Sequence, residues 1–417
     1  MVSDHSPTVS VVGLGYIGLP TAAMFASRKI PVIGVDVNKT VVDTINQGRI
    51  HIVEPNLDSV VRTAVEEGYL RAVTRPEPAT AFLIAVPTPI RGPDHVPDVT
   101  YVEEAAISIA PVLKRGDLIV IESTSPVGTT EAMAGILAKA RPDLTFPQTH
   151  GEQSDIRIAY CPERVLPGKV ILELVSNDRV IGGMTAQCSA EAIALYRSFV
   201  TGNCIATNAR TAEMAKLTEN SFRDVNIAFA NELSIICDRL KIDVWELISL
   251  AKRHPRVEIL RPGAGVGGHC IAVDPWFIVA ATPEDARLIR TAREVNDSKP
   301  EWVLAKIYAA LATFPSDPEL PRPVVACYGL AFKPDIDDLR DSPALAIAER
   351  LTVDKRCDLF VVEPHIDESP ASLESATLVT ADEEASANIH VLLVDHSAFK
   401  EMEPPSGIRI DTRGIGW

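Results

Sequence analysis

The 417-residue sequence predicts an α/β fold in which two doubly wound α/β domains are joined by a long central helical segment. Three observations predict it. From Val9 onward, short β-branched apolar runs alternate with helix-like stretches. From Thr211 to about Ala251, apolar residues recur at helical spacing without a single Gly or Pro. Beyond a Pro-rich linker, Pro315 to Pro323, the strand and helix alternation resumes. The expected boundaries are 1–206 for the first domain, 207–315 for the central segment and 316–417 for the second domain, in line with a soft prior of ~150 residues per domain.

The first element is a strand at Val9 to Val12, which meets Gly13-Leu14-Gly15-Tyr16-Ile17-Gly18 and then an Ala-rich helical stretch, Thr21 to Ser27. Strand, glycine turn and helix in this order form a dinucleotide fingerprint: one glycine for the turn, one for close approach of a pyrophosphate, one for helix–strand packing. A second strand, Pro31 to Val35, ends on Asp36. A carboxylate near this offset hydrogen-bonds a ribose 2′-hydroxyl and repels a 2′-phosphate, so NAD is expected over NADP and the domain is expected to be Rossmann-like. Strands follow at Ala81 to Val86 and Leu118 to Ile121. The loops after them carry Thr88, and then Thr124, Val127, Gly128 and Thr130, at the strand edge where doubly wound folds bind ligands. Cofactor contact and simple turn chemistry both fit Thr and Pro in such loops.

In the central segment, Met214, Leu217, Phe222, Val225, Phe229, Leu233, Ile236 and Leu240 imply a long helix or helix pair, a natural dimer interface. Lys216, Asn220 and Arg223 stand at i, i+4 and i+7 and share a face, where an ammonium and an amide one turn apart could stabilise an alkoxide. A glycine-packed turn follows, with Gly263, Gly265, Gly267 and Gly268 delivering Cys270 and a carboxylate, Asp274, four residues on. Such a turn can aim amide N–H groups at a thiolate, which makes Cys270 the candidate nucleophile. In the last segment, Val324 to Leu330, Leu359 to Val362, Ile389 to Val394 and Ile408 to Ile410 read as strands and Ser342 to Leu351 as a helix. No glycine fingerprint occurs there, but Lys333 and Arg340 could clamp a diphosphate.

Composition excludes several classes. A net charge of −16 disfavours nucleic acid or an anionic membrane as partner. No apolar run reaches the ~18 residues of a membrane span, and no signal segment opens the chain, so the cytoplasm is the expected compartment. Seven cysteines without C-x-x-C spacing point to reduced thiols rather than a disulfide framework or a zinc ribbon, and no metal site is expected.

The chain resembles the UDP-sugar 6-dehydrogenase family, the UDP-glucose/GDP-mannose dehydrogenases, over nearly its whole length. GLGYIGLP, STSPVGTT, YCPERVLPG, TAEMAKLTENSFRDVNIAFANE, GVGGHCIAVDPWF and GLAFKPDIDDLRDSPA occur in family order. The resemblance implies catalytic roles for Cys270, Lys216, Asn220, Asp274, Glu163 and Thr124, with NAD as cofactor, a UDP-sugar as substrate and a homodimer as the assembly. Candidate substrate contacts are Arg164, Val165, Lys216, Asn220, Arg223 and Gly267, then His254 and Arg256, and Phe332, Lys333 and Arg340, some of them from a partner subunit. The string His269-Cys270-Ile271-Ala272-Val273-Asp274 resembles family members that act on 2-acetamido sugars, UDP-N-acetyl-D-mannosamine foremost, whereas relatives acting on UDP-glucose usually carry Ser-Cys-Phe-Pro-Lys-Asp there. The implied reaction is a four-electron oxidation to the uronate through a Cys270 thiohemiacetal and thioester. Lys216 as base or as electrostatic stabiliser both fit. Two other readings share the fold: a non-catalytic NAD and nucleotide-sugar sensor, and an NAD-assisted epimerase that returns its hydride and needs no thiol. Dehydrogenases of UDP-N-acetylglucosamine or UDP-glucose are the alternatives within the family.

Overall fold

The structure, a computed structural model, describes residues 7–166, 168–268, 270–315, 317, 319–380 and 386–417. His269 of the cysteine turn, and Ser316 and Pro318 of the expected linker, lie outside the described residues. The chain forms two compact units, 1–219 and 220–417, with the division inside one helix.

The first unit runs β1 (Val9–Val12), α1 (Gly18–Ser27), β2 (Val32–Val35), α2 (Lys39–Asn46), α3 (Leu57–Glu66), β3 (Leu70–Val73) and β4 (Ala81–Ile84). A short hairpin, β5 (Ile90–Arg91) and β6 (Val96–Pro97), precedes α4 (Thr100–Ile109), β7 (Leu118–Ile121), α5 (Thr129–Ala140), α6 (Pro147–His150) and β8 (Arg157–Tyr160). Then come α7 (Val170–Ser176), β9 (Arg179–Gly183), α8 (Ala186–Tyr196) and β10 (Cys204–Asn208). Eight strands form one sheet in the order β10-β9-β8-β7-β4-β1-β2-β3, parallel except where β8 meets β9. Strands β1, β4 and β7 are buried on both faces, which is why they read as continuous apolar runs. Period two sorts their side chains: Val9, Val11, Leu83 and Val120 enter the core beneath α1 and α3, while Val12, Phe82, Ile84, Ile119 and Ile121 enter the core beneath α4 and α5. The chain order reverses between β1 and β4, so the switch point of this sheet lies at their carboxyl ends.

Helix α9 (Ala209–Leu240) is followed by α10 (Val244–Ala251), so of the long helix or helix pair expected it is the pair that forms, broken at Lys241, whose φ of 61° no right-handed helix accommodates. The second unit continues with α11 (Asp274–Ala281), α12 (Arg287–Leu311), β11 (Val324–Tyr328), α13 (Pro343–Thr352) and β12 (Asp358–Val362). It closes with β13 (Thr377–Leu378), β14 (Ile389–Leu392), α14 (Ser397–Lys400) and β15 (Ile408–Asp411). Its sheet, β13-β12-β11-β14-β15, is parallel throughout and repeats the strand sequence of a doubly wound half. Both domains are thus Rossmann-like, as the alternation predicts. Ser342 caps α13 by accepting from Leu345 N at 3.3 Å.

Differences from the sequence reading have local causes. Strand β4 stops at Ile84 rather than Val86, because both backbone groups of Val86 are taken by the Ser123 hydroxyl, at 2.9 and 2.7 Å. Strand β11 stops at Tyr328, since Gly329 turns with φ of 87°. Strands β3, β8, β9 and β10 and helix α12 are not legible in the sequence: β3, β8 and β9 each carry an arginine, β10 mixes apolar and polar residues, and Pro300 interrupts α12 in the sequence although the helix continues through it. Among the described residues, no helix is long and apolar enough to cross a membrane.

Candidate active site

In the first unit the fingerprint turn leaves β1 with each glycine in a distinct role. A Cβ on Gly13, at φ 90°, would lie 2.4 Å from the Ala85 carbonyl oxygen, and one on Gly18 would lie 1.8 Å from that of Gly13. A Cβ on Gly15 would meet nothing within 4 Å, leaving an open backbone face at the start of α1 where a pyrophosphate fits. Tyr16 is exposed and Ile17 half-buried beside it. Asp36, ending β2, accepts from Leu14 N at 3.1 Å through Oδ2 and from Asn38 N at 2.9 Å through Oδ1, so the carboxylate is held against the fingerprint turn. Across the switch point, Thr88 Oγ1 donates to the Thr124 carbonyl at 2.5 Å, tying together the loops after β4 and β7.

Thr130 is fully buried, with its hydroxyl donating to Glu213 Oε1 at 2.6 Å and its N–H to the same oxygen at 2.8 Å. Glu213 Oε2 accepts from Gly128 N at 2.6 Å, so this α9 carboxylate satisfies the first turn of α5. Burial pushes its pKa up against those hydrogen bonds. Sequence reasoning missed Glu213.

Glu163 follows β8 and is buried; its Oε2 accepts from Arg179 Nη2 at 3.0 Å and its Oε1 from Arg164 N at 2.7 Å. The Arg179 guanidinium, on β9, lies 4.8 Å from the Tyr196 ring centroid and 5.6 Å from that of Phe199. Tyr196 in turn donates to Glu122 Oε1 at 2.5 Å. Burial pushes Glu122 up to about 7, Arg179 opposing the shift and Glu163 adding to it. Glu122, Arg179 and Tyr196 carry no spacing signal that would have marked them. Arg164 is held bidentately by Glu219, at 2.9 and 2.6 Å, and Val165 packs against the apolar core. Lys216 is buried on α9, one turn before Asn220.

In the second unit, Asn220 Nδ2 donates to Asp274 Oδ2. Asp274 is buried and opens α11, where a carboxylate complements the helix N-terminus. The Cys270 carbonyl accepts from Val273 N at 3.1 Å and Asp274 N at 2.8 Å, so the thiol stands one tight turn ahead of that helix. Cys270 is the exposed one of the seven cysteines; Cys204 is half-buried and the other five are buried. Burial pushes Cys161 up to about 12 and Cys357 up to about 11, which leaves them inert as nucleophiles near neutral pH.

The loop after β11 covers the glycine-rich segment. A Cβ on Gly267 would lie 2.4 Å from the Asp341 carbonyl oxygen, and one on Gly268, at φ 83°, would lie 2.8 Å from the Phe332 ring. Lys333 is half-buried; burial and the nearby Arg223 lower its pKa while Cys270 opposes them, which places an ammonium and a guanidinium within electrostatic reach of the thiol. Asn220, Asp274, Cys270, Gly267, Phe332, Lys333 and Arg223 therefore belong to one neighbourhood. Arg340 donates to Asp338 from Nε at 2.8 Å and from Nη2 at 2.6 Å. His254 and Arg256 are exposed beyond α10, where Arg256 N donates to His254 Nδ1 at 3.3 Å. Asp335, His365 and His396 lie close enough to suggest a metal site. The hydrogen bonds give another account: His396 Nδ1 accepts from Asp335 N at 2.9 Å, His396 Nε2 faces Glu363 at 3.1 Å, and Asp335 is taken by Ser397.

Three family models match in chain order: the NAD binding domain of the UDP-glucose/GDP-mannose dehydrogenase family over residues 7–200, its central domain over 210–298 and its UDP binding domain over 326–415. The chain belongs to the UDP-glucose/GDP-mannose dehydrogenase family. It is an NAD-dependent dehydrogenase, and the open face at Gly15 with Asp36 behind it fits that cofactor. The chain is 65% identical over 397 residues to UDP-N-acetyl-D-mannosamine dehydrogenase of Escherichia coli (strain K12), covering 94% of each chain. It is 62% identical to NDP-N-acetyl-D-galactosaminuronic acid dehydrogenase of Ralstonia nicotianae, covering 98% of this chain and 96% of that one. The solved UDP-D-ManNAc dehydrogenase of Pyrococcus horikoshii superposes with a TM-score of 0.86 at 38% identity, covering 98% of this chain and 96% of that one.

Proposed function

We propose that the protein oxidises carbon 6 of UDP-N-acetyl-D-mannosamine to the uronate, as a homodimer in the cytoplasm, with Cys270 as covalent nucleophile. The observation that carries this reading is Cys270 itself, an exposed thiol at a glycine-built turn whose following residue on the helix, Asp274, is bonded to Asn220. Bound NAD supplies the hydride acceptor for both oxidation steps. Lys216 and Asn220 stabilise the sugar oxygen as the alcohol loses its proton. The Cys270 sulfur then adds to the aldehyde carbon, and the thiolate's charge passes to an oxygen that is protonated. Loss of hydride and proton from this thiohemiacetal leaves a thioester. Glu163, kept in place by Arg179, orients the water that adds to the thioester carbon and displaces the thiolate. The balance is one alcohol, two NAD and one water to one carboxylate, two NADH and three protons. Lys333 and Arg223, beside Cys270, suit the diphosphate.

The 65% identity to the Escherichia coli mannosamine enzyme supports the sugar, and the 62% identity to the Ralstonia relative supports a second reading, a galacto-configured acetamido sugar. The dimer is supported by Phe222, Phe229, Ile236 and Leu240, large apolar residues exposed at intervals of seven, seven and four along α9. Side-by-side NADH assays with the UDP derivatives of N-acetylmannosamine, N-acetylgalactosamine, N-acetylglucosamine and glucose decide the sugar. The manno compound is expected to give two NADH per sugar, and a preference for UDP-glucose sinks the acetamido reading. In the same assay C270A is expected to make no uronate while still binding NAD; undiminished acid formation removes Cys270 from the mechanism.

A further inference from the structure

Between α9 and α12 the second unit buries polar and charged side chains for which the reaction has no use: Asp224, Asn231 and Ser234 on one helix, Arg293, Asn296 and Lys299 on the other. Four of them form one continuous chain. Arg293 Nη1 donates to Asp224 Oδ1 at 2.6 Å. Asn296 Nδ2 donates to the same oxygen at 2.8 Å and to the Asp224 carbonyl at 3.1 Å. Asn231 Nδ2 donates to Asn296 Oδ1 at 2.8 Å, and the backbone N–H of Gly263 donates to Asn231 Oδ1 at 2.9 Å.

The direction of this chain is forced. A backbone N–H only donates, so Asn231 must turn its oxygen to Gly263 and its amino group to Asn296. Asn296 must then turn its own oxygen to Asn231 and its amino group to Asp224, an acceptor-only carboxylate anchored by Arg293. Reversing any link sets two donors or two acceptors face to face where no water reaches. The chain ends on Gly263, at the head of the glycine segment that leads to Cys270. Further along the same segment, Gly265, Gly267 and Gly268 lie against Pro343, Asp341 and Phe332.

We infer that Asn231 is a positioning residue for Cys270, the last link of a buried polar chain that fixes the backbone at Gly263 and so the geometry of the cysteine turn. Its consequence for turnover rests on the thioester reading; its consequence for the geometry of the thiol does not. The charged groups around the chain are Asp224 and Asp238 on α9, Arg293, Asp297, Lys299 and Lys306 on α12, and, after β15, Arg413, which donates to the Pro262 carbonyl at 3.4 Å and pairs with Asp395 at 2.7 Å; Lys299 Nζ donates to Ser234 Oγ at 2.5 Å, and Ser234 Oγ to the Asn231 carbonyl at 2.6 Å.

The isosteric variant N231D makes the inference testable by pH. A protonated carboxyl can do both jobs of the amide, donating to Asn296 and accepting from Gly263, whereas an ionised one cannot donate. Burial, with the Asn296 oxygen facing one of its own oxygens, raises the introduced group above the ordinary carboxyl range of about 4. The readout is the rate at which iodoacetamide labels Cys270, mapped by peptide mass spectrometry and compared with the parent protein at each pH. Near pH 6, N231D is expected to match the parent; near pH 8.5 its rate should depart at least about threefold, and N231L should depart at both. In turnover at the higher pH, an aminooxy probe should trap aldehyde that a misplaced thiol fails to capture. An asparagine that serves stability alone would lower the melting temperature of both variants yet leave their Cys270 labelling equal to the parent's at every pH, and that result overturns the inference. Should N231L not fold, N231D decides alone, with its low-pH state as the folded control. Failure of the thioester reading shows separately, as uronate formation by C270A, and the labelling result then still decides the role of Asn231.

Discussion

At the scale of single residues, the buried cluster behind Glu163 has the most to say. Arg179 neutralises the Glu163 carboxylate, and Glu122, with no such partner of its own, is held up to about 7 by burial. The sign follows directly. A carboxyl whose folded pKa is raised keeps its proton better in the folded state, so stability is lost as pH climbs from the unfolded value, near 4.5, through about 7, and the loss is complete above that. E122Q, which cannot ionise, should unfold at nearly the parent's denaturant concentration at pH 5 and be more stable by on the order of 3 kcal/mol at pH 8. Equal stabilities at both pH values would show that Glu122 is ionised throughout. Individual roles were unevenly legible in the sequence at this scale. The need for glycine at 13 and 18 was legible because backbone crowding in the fingerprint turn restricts the choice of residue. The roles of Arg179 and Glu122 were not, because the pairing of buried charges depends on which strand ends meet.

At the scale of elements, α9 does more than its apolar spacing announces. Near its start, Glu213 reaches the first turn of α5 and takes three donors, Gly128 N, Thr130 N and the Thr130 hydroxyl. Thr130 is thereby part of a cap on α5. E213A would leave the two Thr130 donors buried and unsatisfied, a cost on the order of 3 kcal/mol. Denaturant unfolding should register that loss, and E213Q, which retains an acceptor oxygen, should recover part of it; an alanine variant as stable as the parent would deny Glu213 the role. Element positions were legible where hydrophobic period or turn chemistry spoke: β1, β2, β7, α13 and the helical run from Thr211. They were not where tertiary burial overrides weak local preference, as in β9 with Arg179 at its head, or where a proline sits inside a continuing helix, as Pro300 does in α12.

At the scale of the whole molecule, the apolar stripe on α9 bears on assembly. Phe222, Phe229, Ile236 and Leu240 are exposed in the single chain, a costly arrangement for large apolar side chains on one helix. A second copy of this chain would bury them. F229E changes an exposed side chain, so it should alter monomer stability by no more than about 0.5 kcal/mol, while a carboxylate buried in an interface core is strongly unfavourable. Sedimentation velocity should therefore show the parent as a dimer and F229E as a monomer of intact fold; a dimer of unchanged affinity would move the interface elsewhere.

The sequence by itself determined the α/β class, the nucleotide fingerprint, the choice of NAD and the presence of a candidate nucleophile at Cys270. Each of these is written in residues that act within a few positions of one another, where period, turn geometry and local charge decide. Only the tertiary structure decided that Asn220 meets Asp274, that Arg179 holds Glu163, and that the Cys270 segment meets both Asn231 and the Phe332 loop. The hydrogen-bonded pairings among these join residues 16 to 54 positions apart, and burial there makes each hydrogen bond matter because no water can replace it.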